Sequence, residues 1–129
     1  MAKYCCTVLA TLLISSGSAQ ADWLCTPQWK AVCGEQGCER VTPDGEIIRI
    51  NIERLSYELC SRSTSKCDSY VIDEHRAAGA FDTVRFNGVN FIKISTLTDD
   101  LLGLAAGSFI EVRHSMLVSI SSGGSCLRN

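Results

Sequence analysis

The stretch Leu55-Ser-Tyr-Glu-Leu-Cys-Ser-Arg-Ser-Thr-Ser-Lys-Cys-Asp-Ser-Tyr-Val-Ile72 decides the fold, because two cysteines divide it into matching halves. If Cys60 and Cys67 face each other across the loop between them, antiparallel pairing places Tyr57 opposite Tyr70. The leucine and the isoleucine at the two ends of the stretch also become partners. An apolar face therefore follows from the cysteine pairing alone, and aromatic and branched cross-strand pairs stabilise such a face. The stretch predicts a β-hairpin closed by a disulfide bond.

A second hairpin is predicted at Asn87-Gly88, since this dipeptide favours the two-residue turn that joins antiparallel strands. A two-residue loop places three pairs opposite each other: Phe86 with Val89, Val84 with Phe91, and Asp82 with Lys93. Apolar side chains then lie on both faces of the hairpin. This is expected of strands that are covered on both sides, as in a β-sandwich or a small closed barrel.

The remaining chain mostly alternates apolar and polar residues, as strands do. Ile48, Ile50 and Ile52 follow this pattern, and the apolar parity then shifts near Glu53-Arg54, which predicts a bulge or bend there. Between residues 98 and 107 the pattern breaks, and one short helix or an ordered loop is expected. We expect a mainly β, single-domain antiparallel sandwich or barrel with about five to seven strands, one short helix and disulfide bonds.

The first 21 residues resemble a secretory signal peptide. Lys3 supplies a positive charge, Thr7–Ile14 is apolar, and Ala19-Gln20-Ala21 is a small-x-small cleavage site. The apolar run is too short to span a bilayer, which needs roughly 20 residues. We therefore expect residues 1–21 to be removed, residues 22–129 to form one domain, and the mature protein to be periplasmic or secreted without membrane insertion.

Six cysteines remain after this cleavage, and an even number in an exported small domain predicts disulfides. They can pair in many ways. Local spacing favours two pairs and leaves a third that joins the chain ends: Cys60 with Cys67, Cys33 with Cys38, and Cys25 with Cys126. A zinc site that includes His75 is the alternative, but the spacing lacks the Cys-x-x-Cys pair of structural zinc sites.

Several function classes have no support in the sequence. The net charge is −2 at pH 7 and the basic residues are scattered, whereas a nucleic-acid binder would carry a basic stripe. No phosphate-binding glycine loop or dinucleotide fingerprint is present, so no cofactor is expected. Glu111 and His114 have a metal-ligand spacing, but on a strand they point to opposite faces. The serine-glycine segment 121–125 lacks the pattern of a nucleophile elbow and is interpreted as turn and tail.

One charged segment is a candidate contact site. Asp73, Glu74, His75 and Arg76 follow one another and are interpreted as a loop between strands, where binding residues often lie. Either the loop is simply solvated or it contacts a partner, and that partner would be a protein or a glycan of the envelope or exterior. Trp23 and Trp29 are expected to anchor the N-terminal segment on the sheet.

The leading expectation is an exported, non-enzymatic binding or inhibitor module, because no nucleophile, metal or cofactor constellation is found. One alternative is a small hydrolase of cell-wall or extracellular polymers that uses paired carboxylates. Another is a structural or stress-related accessory protein of the envelope. In size, compartment and architecture the chain is similar to small periplasmic lysozyme inhibitors. It lacks their Ser-Gly-x-x-Tyr loop, since Ser122-Gly123 is followed by Gly124-Ser125-Cys126.

Overall fold

Antiparallel strands form almost all of the computed structural model, which describes residues 23–98, 100, 101, 103 and 105–128. The predicted signal peptide lies outside these residues. Nine strands are present in the described chain, rather than five to seven: β1 Trp23–Gly34, β2 Gly37–Val41, β3 Glu46–Asn51, β4 Ser56–Ser61, β5 Cys67–Ala78, β6 Phe81–Phe86, β7 Asn90–Ser95, β8 Ser108–Ser115 and β9 Val118–Arg128. The described residues contain no helix that could span a membrane.

The strands close into a barrel and do not form a sandwich. Strands β3 to β9 follow one another as antiparallel neighbours, and β1 pairs with both β3 and β9, which closes a ring of eight. Strand β2 lies outside the ring because it pairs only with the distal half of β1, from Lys30 to Gly34. Closure removes the exposed edges that the eight strands of the ring would present as an open sheet.

Two glycines of β9 allow the barrel to close. A Cβ atom at Gly124 would overlap the carbonyl oxygen of Thr26 in β1, and one at Gly123 would stand 2.5 Å from Nε1 of the Trp29 ring. Both positions therefore require a residue without a side chain. The interpretation of segment 121–125 as turn and tail was wrong, because these residues form the middle of β9.

The loop at Asn87-Gly88 has three residues, so the predicted register was wrong by one position. Phe86 pairs with Asn90, Val84 with Ile92, and Asp82 with Ile94. Asn87 and Gly88 both have positive φ, and the Val89 amide donates to the Asn87 carbonyl. This leaves Val89 in the loop. As a result Val84, Phe86, Ile92 and Ile94 all face the interior, while Phe91 and Lys93 lie on the outer surface.

Of two further expectations that each left an alternative open, the bulge after Ile52 and the helix between residues 98 and 107 were wrong. The parity shift after Ile52 reflects a tight turn over residues 52–55, not a bulge, and its backbone includes Leu55 at φ 50°. The described residues between 98 and 107 contain no helix. Gly103 and Gly107 adopt φ of 66° and 86°, outside the helical range.

Three disulfides join the cysteine pairs that the sequence favoured: Cys25–Cys126, Cys33–Cys38 and Cys60–Cys67. The register of the β4–β5 hairpin is also as predicted, with Tyr57 opposite Tyr70. The barrel interior is filled by a core of buried side chains: Trp23, Cys25, Ile48, Ile50, Tyr57, Ile72, Val84, Phe86, Ile92, Ile94, Phe109 and Cys126.

Candidate functional site

The four charged residues predicted to form a contact loop lie instead within strand β5. The register of β5 against β6 shifts between Ile72 and Glu74, and the two strands remain paired on both sides of this irregularity. The strand separates the side chains. Glu74 and Arg76 lie on the outer surface, His75 contacts the buried Asp82, and Asp73 accepts a hydrogen bond from the Gly88 amide at 2.6 Å.

Beside Glu74 and Arg76, the outer surface of β6 to β8 carries an apolar depression, which we call the outer cleft. It has a volume of about 250 Å³ and is lined by Phe81, Phe91, Lys93, Ser95, Ser108, Phe109 and Ile110. The Lys93 ammonium lies 4.2 Å from the centroid of the Phe81 ring, a cation–π distance. The cleft thus combines aromatic walls with a cation at its side.

A second depression adjoins the outer cleft and shares Phe91 with it. It has a volume of about 240 Å³ and is lined by Glu74, Arg76, Thr83, Arg85 and Phe91. Glu74 accepts from Arg76 at 2.9 Å and lies 3.3 Å from Arg85. The side chains of Arg76 and Arg85 are 72% and 51% exposed. Each guanidinium has five N–H donors, so both can bind a further carboxylate.

This face is locally positive on a chain whose net charge is −2. The side chains that line the two depressions include three cations, Arg76, Arg85 and Lys93, and one carboxylate, that of Glu74. Charged surfaces select partners of complementary charge and repel others. The geometry therefore suits a partner that presents acidic groups next to an apolar group.

A chain of polar contacts crosses the barrel interior. The Tyr57 hydroxyl, on β4, donates to Glu111 on β8 at 2.6 Å, and these strands lie on opposite sides of the ring. Glu111 contacts Arg113, whose guanidinium lies 3.9 Å from Glu46, and Lys30 donates to Glu46 at 2.6 Å. Burial raises the pKa of Glu111, although Arg113 partly offsets the rise. This series of contacts links strands on opposite sides of the barrel.

A second contact crosses the barrel at the other end. The Trp23 indole, on β1, donates to Asp82 on β6 at 3.2 Å, and His75 Nε2 lies 3.2 Å from the second Asp82 oxygen. In the ring of eight strands, β1 and β6 are also diametrically opposed. Trp23 therefore ties the first strand to the far wall, which gives its predicted anchoring role a specific partner.

Alkaline titration tests the buried hydrogen bond between Tyr57 and Glu111. Burial, with the nearby Glu111 charge, raises the pKa of Tyr57 well above its usual value. An unfolded tyrosine ionises at about pH 10, so above this pH the folded protein binds more protons than the unfolded protein. The free energy of unfolding should therefore fall as the pH rises above about 10.

Absorbance at 295 nm reports tyrosine ionisation and circular dichroism reports unfolding. We expect Tyr57 to ionise over the same pH range in which the barrel unfolds. Tyr57→Phe should remove this late ionisation, and Tyr70→Phe serves as the matched control. Ionisation of both tyrosines while the barrel remains folded would contradict the buried hydrogen bond.

The described residues contain no group of three or more histidine, cysteine or acidic side chains that could hold a metal ion. Cys60 and Cys67 are joined in a disulfide, so their sulfurs are not free ligands beside His75. Glu111 is buried and His114 is exposed, which places them on opposite faces as the strand pattern predicts.

Sequence reasoning missed Phe91, Arg85 and Lys93 as members of one surface. The one-residue register error placed Lys93 opposite Asp82, whereas it lies opposite Thr83. A three-residue loop at Asn87 would have brought Phe91 and Lys93 to the outer face.

This chain matches no known protein family, no curated protein and no solved structure.

Proposed function

We propose that this protein is an exported, non-enzymatic binding module that uses the outer face of β5 to β8 to contact an acidic protein. The observation that carries this proposal is the position of Phe91. It forms one wall of the apolar outer cleft and one wall of the arginine depression, so both surfaces belong to one exposed face. Aromatic residues and arginine are the side chains most enriched at binding hot spots.

The disulfides support the exported part of the proposal. Three are present in the described chain, and such bonds persist in oxidising compartments such as the periplasm or the exterior. The interior is occupied by core side chains and two transverse hydrogen bonds. A partner is therefore expected to bind the outer surface and not the barrel interior.

The interior carboxylates do not support the hydrolase alternative. Glu46 and Glu111 both contact Arg113, but Glu111 is 0% exposed and is held by Tyr57 as well. A polymer would have to reach such a carboxylate to be cleaved. These two carboxylates are better explained as structural groups. A carboxylate removed from water needs a charged partner, and Arg113 provides one for both.

Two variants at neighbouring cross-strand positions of this face test the proposal. We expect Phe91→Ala and Arg85→Glu each to weaken binding of one acidic protein at least tenfold, because truncation of a hot-spot residue costs about 2 kcal/mol or more. Leu127→Ala and Arg49→Glu are the matched controls, since both residues are exposed on other parts of the barrel. The controls should bind as the unchanged protein does.

The measurement uses residues 22–129, folded with disulfides intact and immobilised, and exposed to the envelope extract of the source organism. Retained proteins are quantified by mass spectrometry for all five forms, at low and at high salt. Loss of the same protein in both test variants, together with weaker retention at high salt, supports the proposal. Equal retention by all forms, or retention of glycans alone, would contradict it.

A further inference from the structure

The β8–β9 hairpin ends in an apolar tip that the outer cleft does not include. Ser115 pairs with Val118, so Met116 and Leu117 form the two-residue turn. Met116 is fully exposed and Leu117 is 76% exposed. Burial of two such side chains is favourable wherever a partner provides an apolar pocket.

The backbone of this tip is strained. Met116 has φ 48°, a conformation that residues with a Cβ atom rarely adopt. The same chain uses Asn87-Gly88 in the neighbouring β6–β7 loop, where asparagine and glycine tolerate positive φ. A methionine at such a position costs backbone energy and exposes apolar surface to water. Strained residues of this kind cluster at binding sites.

The tip is also held in place. Cys33 of β1 pairs with Ser119 of β9, which sets the disulfide-closed β1–β2 hairpin directly beside the tip. The His114 amide donates to the Asn90 side chain at 2.8 Å and ties β8 to β7 below it. A rigid apolar tip binds without the entropic cost of ordering a loop.

The tip continues the proposed contact face. Outward positions of β8 run from Ile110, in the outer cleft, through Val112 and His114 to Met116. This distance spans roughly 20 Å, at about 3.3 Å per strand residue. A single globular protein can cover both surfaces, whereas a small ligand cannot.

We infer that Met116 and Leu117 form an anchor that inserts into an apolar pocket of the same acidic protein that covers the outer cleft, an inference that rests on the proposed function. The neighbouring charges favour a protein over a lipid surface. The two adjacent turns, residues 34–37 and 115–118, contain Glu35 and no lysine or arginine, whereas segments that bind anionic membranes are rich in both.

Photo-crosslinking in the source organism tests this inference. Benzoylphenylalanine is placed at Leu117, at Ile110 in the outer cleft, and at Leu127 as a control. We expect the first two positions to label one and the same protein and the control position to leave it unlabelled. If Ile110 labels a protein while Leu117 labels lipid, a second copy, a different protein or nothing, the inference fails and the proposed function stands. If neither position labels a protein, both fail.

A turn replacement separates binding from folding. In the double variant Met116→Gly with Leu117→Asn, glycine takes the first turn position, the one with positive φ, as two-residue hairpin turns with a single positive φ favour. Its thermal midpoint should equal or exceed that of the unchanged protein. Its Kd for the purified crosslinked protein should rise at least tenfold. Val89→Ser, at an exposed apolar position in the neighbouring loop, should leave the Kd unchanged. An unaltered Kd in the double variant would overturn the inference.

Discussion

The double variant Cys25→Ala with Cys126→Ala should lose about 4–5 kcal/mol of its free energy of unfolding. The bond joins the first and last strands of the barrel across a sequence separation of 101 residues. In the chain-entropy account, a loop of this length restricts the unfolded state by that amount. Cys25 and Cys126 are also buried, at 0% and 5% exposure, so the truncated side chains leave unfilled volume in the core. Urea unfolding followed by circular dichroism measures the loss.

The matched control is Cys33→Ala with Cys38→Ala. This bond closes a separation of only 5 residues at the tip of the β1–β2 hairpin, outside the ring. Its removal should cost about 2 kcal/mol, because loop entropy grows with the logarithm of loop length. Equal losses for the two variants would show that the disulfide at the barrel seam acts locally and that hydrogen bonds between β1 and β9 suffice for closure.

The parts of the fold that could be predicted were those in which a disulfide bond or the alternation of apolar and polar residues fixes the strand register. The pairing of Cys60 with Cys67 fixes the register of its hairpin, because residues flanking a cross-strand disulfide have only one antiparallel arrangement. The β4–β5 register followed from this. At Asn87-Gly88 no such constraint exists. The dipeptide marks a turn but does not set its length, and one extra loop residue moves every side chain to the other face.

Barrel closure could not be predicted from local patterns. The segment containing Gly123 and Gly124 has the composition of a flexible tail, and only its partners Trp29 and Thr26, roughly a hundred residues earlier, explain why no side chain fits. The same limit applies to the proposed contact face. Glu74 and Arg76 were singled out by their charge, but Arg85, Phe91 and Lys93 join them only through pairing between β5, β6 and β7.

The transverse hydrogen bonds show what the sequence leaves open even when the strands are known. Nothing in the pattern around Tyr57 or Trp23 indicates that their polar atoms meet Glu111 and Asp82 across the interior. Such contacts depend on which strands are diametrically opposed, and therefore on the number of strands in the ring. An estimate of about five to seven strands gives other opposing pairs, so these buried acids could not be assigned partners before the barrel was known.

The second large effect is expected from the addition of a single methyl group at the seam where β1 pairs with β9. Gly124→Ala should destabilise the protein by about 3 kcal/mol or more, at the upper end of the range for overpacking. The added carbon would overlap the Thr26 carbonyl oxygen and would stand 2.8 Å from the Gln28 amide nitrogen. Both atoms belong to backbone, so a side-chain rotation cannot relieve the overlap. The two strands must move apart, which strains the hydrogen bonds that close the ring.

Gly34→Ala is the control for this substitution, because a Cβ atom at Gly34 meets nothing within 4 Å and its φ is not positive. An alanine there should leave the free energy of unfolding unchanged or raise it by up to about 1 kcal/mol, since it restricts the unfolded chain. Urea unfolding of both variants decides the matter. If Gly124→Ala unfolds at the same urea concentration as Gly34→Ala, the two strands do not approach as closely as closure of the barrel requires. A large difference would establish the β1–β9 contact as the point on which the ring depends.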